Sequence, residues 1–132
     1  LLLVTSEASL VVSCDDCQLF GPTEKKPDFL FLASKERPLK YTWGVVDMKG
    51  RIGKVDSTVQ QLQAGADKIA SHQGFGRGVG VSALLPIVIY NGKSRAADHL
   101  AYRGKKVRFQ ERSFTVVVKR MYSGLKIEDC GF

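Results

Sequence analysis

An α/β fold built on a mixed sheet is what this sequence predicts, and three features carry the prediction. Two apolar, aromatic-rich runs, residues 28–33 (DFLFLA) and 41–49 (YTWGVVDMK), flank a polar stretch containing Pro38 and read as a β-hairpin. Val55, Val59, Leu62, Ala66 and Ile69 then recur at spacings of 4, 3, 4 and 3. That is one stripe of a 3.6-residue period and predicts a helix. A short apolar run at 84–90 (LLPIVIY), ending at Asn91-Gly92, returns to β structure. At 132 residues, 44% hydrophobic and 25% charged, the chain suits a single domain, 1–132, with one core. That composition excludes a disordered or fibrous protein.

The elements follow in order. Residues 1–12 are apolar but interrupted by Glu7 and lack a basic leading segment, so they read as a helix or strand of the fold rather than a leader. No apolar run reaches the ~18–20 residues needed to cross a bilayer. Pro27 sets the start of the first hairpin strand, residues 34–40 supply its turn, and Gly50 closes the second strand. Asp56 or Ser57 is the expected helix N-cap. The run 74–80 (GFGRGVG) ends the helix. It neither follows a strand nor opens a helix, so it fails as a dinucleotide-binding loop and reads as a mobile connection. Residues 96–101 read as a helical turn, and 105–109 with 114–122 as a closing hairpin around 110–113. The order is an opening element, β-β-α-β and a final β pair, without an internal repeat.

Twenty Lys+Arg against 13 Asp+Glu give a formal charge of +7, which favours polyanion capture without specifying it. The three cysteines, Cys14, Cys17 and Cys130, are an odd number, which argues for a reducing, cytoplasmic setting rather than a disulfide framework. Cys14 and Cys17 have zinc-ligand spacing, and Cys130 could join them if the termini meet, but a closed structural zinc site wants four ligands. His72 and His99 have no partner spacing of a metal pair or relay, and no Gly-x-Ser-x-Gly elbow is present.

The hairpin carries the chemistry. In an antiparallel pair, opposed residues have numbers adding to a constant. A turn centred near Arg37 and Pro38 makes that constant about 75, which sets Asp28 opposite Asp47. Asp47 and Lys49 are two apart on one strand and share a face, while Met48 points the other way. Two carboxylates in apolar surroundings cost several kcal/mol unless a cation compensates, and Mg²⁺ or Mn²⁺ suits such hard oxygen donors. Lys49 beside it can orient an attacking water and offset charge developing on a phosphorane. The alternatives are ordinary: a turn-starting Asp28, and an Asp47 ion-paired to Lys49 or Arg51.

Pro27-Asp28, an 18-residue gap, and Asp47-Met48-Lys49 resemble the signature of the PD-(D/E)xK nucleases. The following Gln60-Gln61-Leu62-Gln63 strengthens the likeness, which spans about residues 27–90. It implies a restriction-endonuclease-like sandwich, a mixed central sheet flanked by helices, and a metal-dependent nuclease cutting DNA in preference to RNA. It further implies Asp28, Asp47 and the Met48 backbone carbonyl as metal ligands, Glu7 as a further acid, and Gln61 beside the site with Lys49. Asp47 departs from the commoner Glu, shortening the reach to a metal. Arg77 in the glycine-rich run and Lys105, Lys106 and Arg108 in the basic stretch 103–112 are the candidate nucleic-acid contacts. Charge on an edge strand also protects it from pairing, which is the rival account of that stretch. No base-reading module is evident, so selectivity is expected from nucleic-acid structure, an accessory partner or a homodimer. The alternatives to an enzyme are an inactive nuclease-fold binding module, or an interaction domain without nucleic-acid affinity.

Overall fold

The structure, a computed structural model, describes residues 9–15, 19–35, 40–49, 54–71, 81–91, 99–121 and 130. Its elements are β1 (Ser9–Ser13), β2 (Phe29–Lys35), β3 (Lys40–Lys49), α1 (Val55–Ser71), β4 (Val81–Tyr90), β5 (Lys106–Phe109), β6 (Arg112–Thr115) and β7 (Val117–Arg120). Among the described residues, a five-stranded sheet runs in the order β1-β2-β3-β4-β7, and β5 pairs only with β6. β1, β2 and β3 form an antiparallel meander, whereas β3–β4 and β4–β7 are parallel. The fold is therefore mixed α/β, as the sequence predicts. Parallel neighbours require a crossover, and α1 supplies it between β3 and β4. No helix among the described residues is long and apolar enough to cross a membrane.

The β2–β3 register runs from Phe29 opposite Val46 to Lys35 opposite Lys40. Every pair adds to the constant expected from a turn near Arg37 and Pro38, although that turn lies outside the described residues. Alternation along the strands then sorts two cores. On one face Leu30, Trp43, Val45, Leu84 and Val88 pack with Leu62, Ala66 and Ile69 of α1 and with Val107 and Phe109 of β5. On the other, Phe31, Ala33, Val46, Leu85, Ile87 and Ile89 pack with Cys130. β4 is buried on both faces, the pattern of a central parallel strand, which is why its sequence is a continuous apolar run rather than an alternating one. Gly44 lies opposite Phe31, whose ring covers it; a Cβ there would fall 1.9 Å from a ring carbon.

Two expectations are corrected. The helix starts at Val55 rather than after Asp56 or Ser57. Its first carbonyl is that of Lys54, which accepts from the Thr58 N–H at 3.1 Å, so Asp56 sits inside the first turn, where its charge favours the helix dipole. The expected strand at 114–122 is two strands in two sheets: β6 completes the hairpin, and after Val116 the chain crosses to pair β7 with Ile87–Tyr90. The apolar run around Val116 to Val118 does not distinguish these partners; the open edge of β4 does. The opening segment, left as helix or strand, is a strand over Ser9–Ser13. His99 and Leu100 form a helical turn within the expected 96–101.

The β5–β6 turn places two non-glycine residues in the left-handed region, Gln110 at φ 51° and Glu111 at φ 65°. Two-residue hairpin turns of this kind favour Asn-Gly, because a Cβ there meets the backbone. Glu111→Gly should therefore raise stability by about 0.5–1 kcal/mol in urea denaturation. A loss instead would show that the Glu111 side chain contributes more than its backbone strain costs.

Candidate functional site

The site is built at the end of the β2–β3 ladder. Pro27 has no N–H to extend the pairing, and β2 begins two residues on, at Phe29. The Asp28 N–H bonds the Val46 carbonyl at 3.0 Å, one residue out of step with the ladder that ends at Phe29 and Val46, so Asp28 stands just past the paired strands, with its carboxylate close enough to raise the pKa of Asp47. The next donor on β3, the Met48 N–H, would have no strand partner; the Asp28 carboxylate takes it through Oδ2 at 2.6 Å. By strand alternation the Met48 carbonyl leaves β3 on the same side as that of Val46, toward Asp28.

Asp47 is 2% exposed, between Val45 and Lys49 on the helix-covered face. The Lys49 ammonium lies 3.0 Å from its Oδ2, an ion-pair contact. Oδ2 is a buried oxygen that has no hydrogen bond beyond this ion pair. Burial pushes the Asp47 carboxyl up to about 6, with Asp28 raising it further and Lys49 opposing both. Lys49 is held from its other side: its ammonium donates to Gln61 Oε1 at 3.0 Å. The fold thus brings Asp28, Asp47, Lys49 and Gln61 together.

α1 can lie this close because residue 65 is glycine. A Cβ there would meet Pro27 Cγ at 2.7 Å and Val45 Cγ1 at 3.0 Å. Gly65 therefore sets the distance between the helix and the residue preceding Asp28. Beyond Asp28 and Gln61 opens a cleft of about 390 Å³, walled also by Thr23, Lys25 and Lys26.

Other candidate residues lie elsewhere or have different work. Lys105 pairs with Asp56 at 3.3 Å, on the first turn of α1. Lys106 and Arg108 are exposed on β5, while Val107 and Phe109 are buried, as alternation predicts. Gln63 brackets the Arg108 backbone, donating to its carbonyl at 2.8 Å and accepting its N–H at 2.9 Å, so this glutamine docks the hairpin on α1. Glu7, Arg77 and Cys17 lie outside the described residues. Cys14 and Cys130 are both buried, but in the cores on opposite sheet faces, so they do not share a zinc site.

Tyr102 and Thr58 are the residues the sequence did not point to. Tyr102 is 3% exposed and its hydroxyl is buried without a hydrogen bond. Burial raises its pKa, while Thr58 and Lys49 lower it and Asp47 raises it, which sets the phenol within electrostatic reach of the site. Tyr90, also buried, shares a 2.9 Å hydrogen bond with His99. Lys25 and Lys26 were missed although they lie just before Pro27-Asp28, because that segment has no periodicity; the fold is what joins them with Gln61 in one cleft.

Among the described residues no group of three or more His, Cys, Asp or Glu gathers around a point. The oxygen donors available to a cation are the Asp28 and Asp47 carboxylates and the Met48 carbonyl. Comparison with protein-family models, curated proteins and solved structures finds no match for this chain.

Two predictions follow from this geometry. Because folding raises the Asp47 pKa from 3.8 to about 6, the metal-free folded state holds the extra proton across that window. Stability from this group is therefore greatest below the lower value, falls as pH rises, and is lost above about 6. Asp47→Asn should stabilise the protein in EDTA at pH 7.5 by up to ~3 kcal/mol, with the gain vanishing near pH 4 in urea titrations. Destabilisation at pH 7.5 would instead make the Asp47–Lys49 pair a net structural bond. Gly65→Ala should cost about 1–3 kcal/mol despite its better helix propensity, since the new methyl must displace Pro27 or Val45. An unchanged melting temperature would mean that Pro27 yields freely.

Proposed function

We propose that this chain is a divalent-metal-dependent nuclease of the restriction-endonuclease-like kind, hydrolysing phosphodiester bonds of DNA, with RNA the second candidate substrate. The observation that carries the reading is the buried Asp47 carboxylate, with the Asp28 carboxylate interacting with it and the Lys49 ammonium 3.0 Å from its Oδ2. Apposed carboxylates in a dry site are the environment that a hard cation relieves. The donor set fits Mg²⁺ or Mn²⁺, which accept one or two carboxylates and leave positions for water and phosphate oxygens.

Asp28 and Asp47, with the Met48 carbonyl, would hold the ion, whose charge stabilises the negative charge gathering on the phosphoryl oxygens. Asp28 is oriented for this by the Met48 N–H, which fixes one of its oxygens. Lys49, gripped between Asp47 and Gln61, directs its ammonium at the attacking water and the developing phosphorane. Gln61 is a positioning residue in this scheme. Water forms the new P–O bond, the bridging ester P–O bond breaks, and the leaving oxygen takes a proton. Lys106 and Arg108, exposed on β5, and Lys105 near the helix start are available to phosphates further along the strand. A homodimer or accessory partner would supply selectivity.

The 3.0 Å Lys49–Asp47 contact also favours a second reading, a structural ion pair in a binding or interaction domain without chemistry. Incubation of circular, linear and single-stranded DNA and of RNA with Mg²⁺ or Mn²⁺ separates the two. The nuclease reading expects cleavage that EDTA abolishes and that Lys49→Ala lowers by at least about 100-fold, within the range of a lost electrostatic group. Metal-independent binding without any cleavage would favour the binding module, and absence of both would favour the interaction domain.

A further inference from the structure

The cleft beside the carboxylates has a chemistry of its own. Its wall joins Asp28 and Gln61 to Thr23, Lys25 and Lys26 across about 390 Å³. No aromatic side chain lines it, so a base finds no stacking surface there. What it offers is ammonium and hydroxyl donors. Two of its three acids are paired with lysines: Asp15 with Lys26 at 3.1 Å, and Glu24 with Lys68 at 2.7 Å while it accepts the Gly21 N–H at 2.8 Å.

The two lysines are held by replaceable partners. The Lys25 ammonium donates to Gln60 Oε1, a neutral group on an exposed residue. Lys26 pairs with an Asp15 side chain that is 70% exposed. Exposed pairs of this kind contribute little, so a phosphate entering the cleft displaces them at small cost and gains charge-assisted contacts. The segment is also anchored where it matters, since Pro27 packs on Gly65 and Glu24 ties the loop to α1 through Lys68. Asp28 faces the same cleft and repels an anion unless a cation neutralises it.

We infer that this cleft is a phosphate subsite in which Lys25 and Lys26 hold the strand phosphate next to the one that is cut. The inference rests on the nuclease reading and deepens it: the substrate is a polyanionic strand gripped on both sides of the scissile bond. Recognition here is of backbone, not of base.

The test is fluorescence anisotropy of labelled DNA and RNA oligonucleotides across a salt series, with Ca²⁺ replacing Mg²⁺. Lys25→Ala/Lys26→Ala should flatten the slope of log K against log salt by about two and weaken binding roughly 10- to 100-fold at 0.15 M salt. Lys25→Arg/Lys26→Arg should keep the wild-type slope. Lys35→Ala/Lys40→Ala removes the same charge at the opposite end of the β2–β3 ladder and should change the slope far less. Equal effects of the two alanine pairs would overturn the subsite, as would wild-type affinity in Lys25→Ala/Lys26→Ala. Failure of the wild-type protein to bind either nucleic acid would overturn the nuclease reading itself, and the subsite with it.

Discussion

Asp47 sits almost fully buried in a strand whose neighbours are apolar, with a second carboxylate interacting with it and one ammonium at 3.0 Å. An ionised carboxylate taken out of water costs several kcal/mol, and a second acid beside it adds to that cost. Lys49 recovers part of it, but Oδ2 has no hydrogen bond beyond that ion pair. A sheet that only needed to be stable would put valine at this position, as it does at Val45 and Val46. The ladder instead ends on charge, and the surrounding structure keeps that charge in place.

α1 is the element that keeps it there. Leu62, Ala66 and Ile69 bury one stripe against the sheet, which fixes the rotation of the helix. Gln61, one residue off that stripe, then reaches the Lys49 ammonium, and Gly65 admits Pro27. On the other flank Gln63 locks the Arg108 backbone and Asp56 meets Lys105. The helix thus joins three parts of the chain distant in sequence: the loop before β2, the end of β3 and the β5–β6 hairpin. Its packing determines the geometry of the charged groups, so a core substitution in α1 moves the site as well as the stability.

The electrostatic layout is uneven. Lys25 and Lys105 both reach α1, at Gln60 and Asp56, while Lys106 and Arg108 are exposed on β5 and the Lys49 ammonium meets the helix at Gln61. The hairpin carrying Lys106 and Arg108 tolerates left-handed Gln110 and Glu111 because Val107 and Phe109 anchor it in the core.

Local physics was enough to determine a good part of this protein. The mixed α/β class, the register of the β2–β3 hairpin and the helical stripe all follow from periods and from one counting rule for antiparallel pairs, while the ladder ends one residue before Asp28. These are short-range constraints, written in spacing. The contact of Gln61 with Lys49 was suggested only by resemblance, since helix flank residues at 61 and 63 looked alike; rotation of α1 on the sheet separated them into a site residue and a docking residue. The split of 114–122 between two sheets, the separation of Cys14 from Cys130 and the cleft of Lys25 and Lys26 were decided by tertiary structure alone. Each depends on which distant edge, face or helix a segment meets, and no local pattern of side chains encodes that choice.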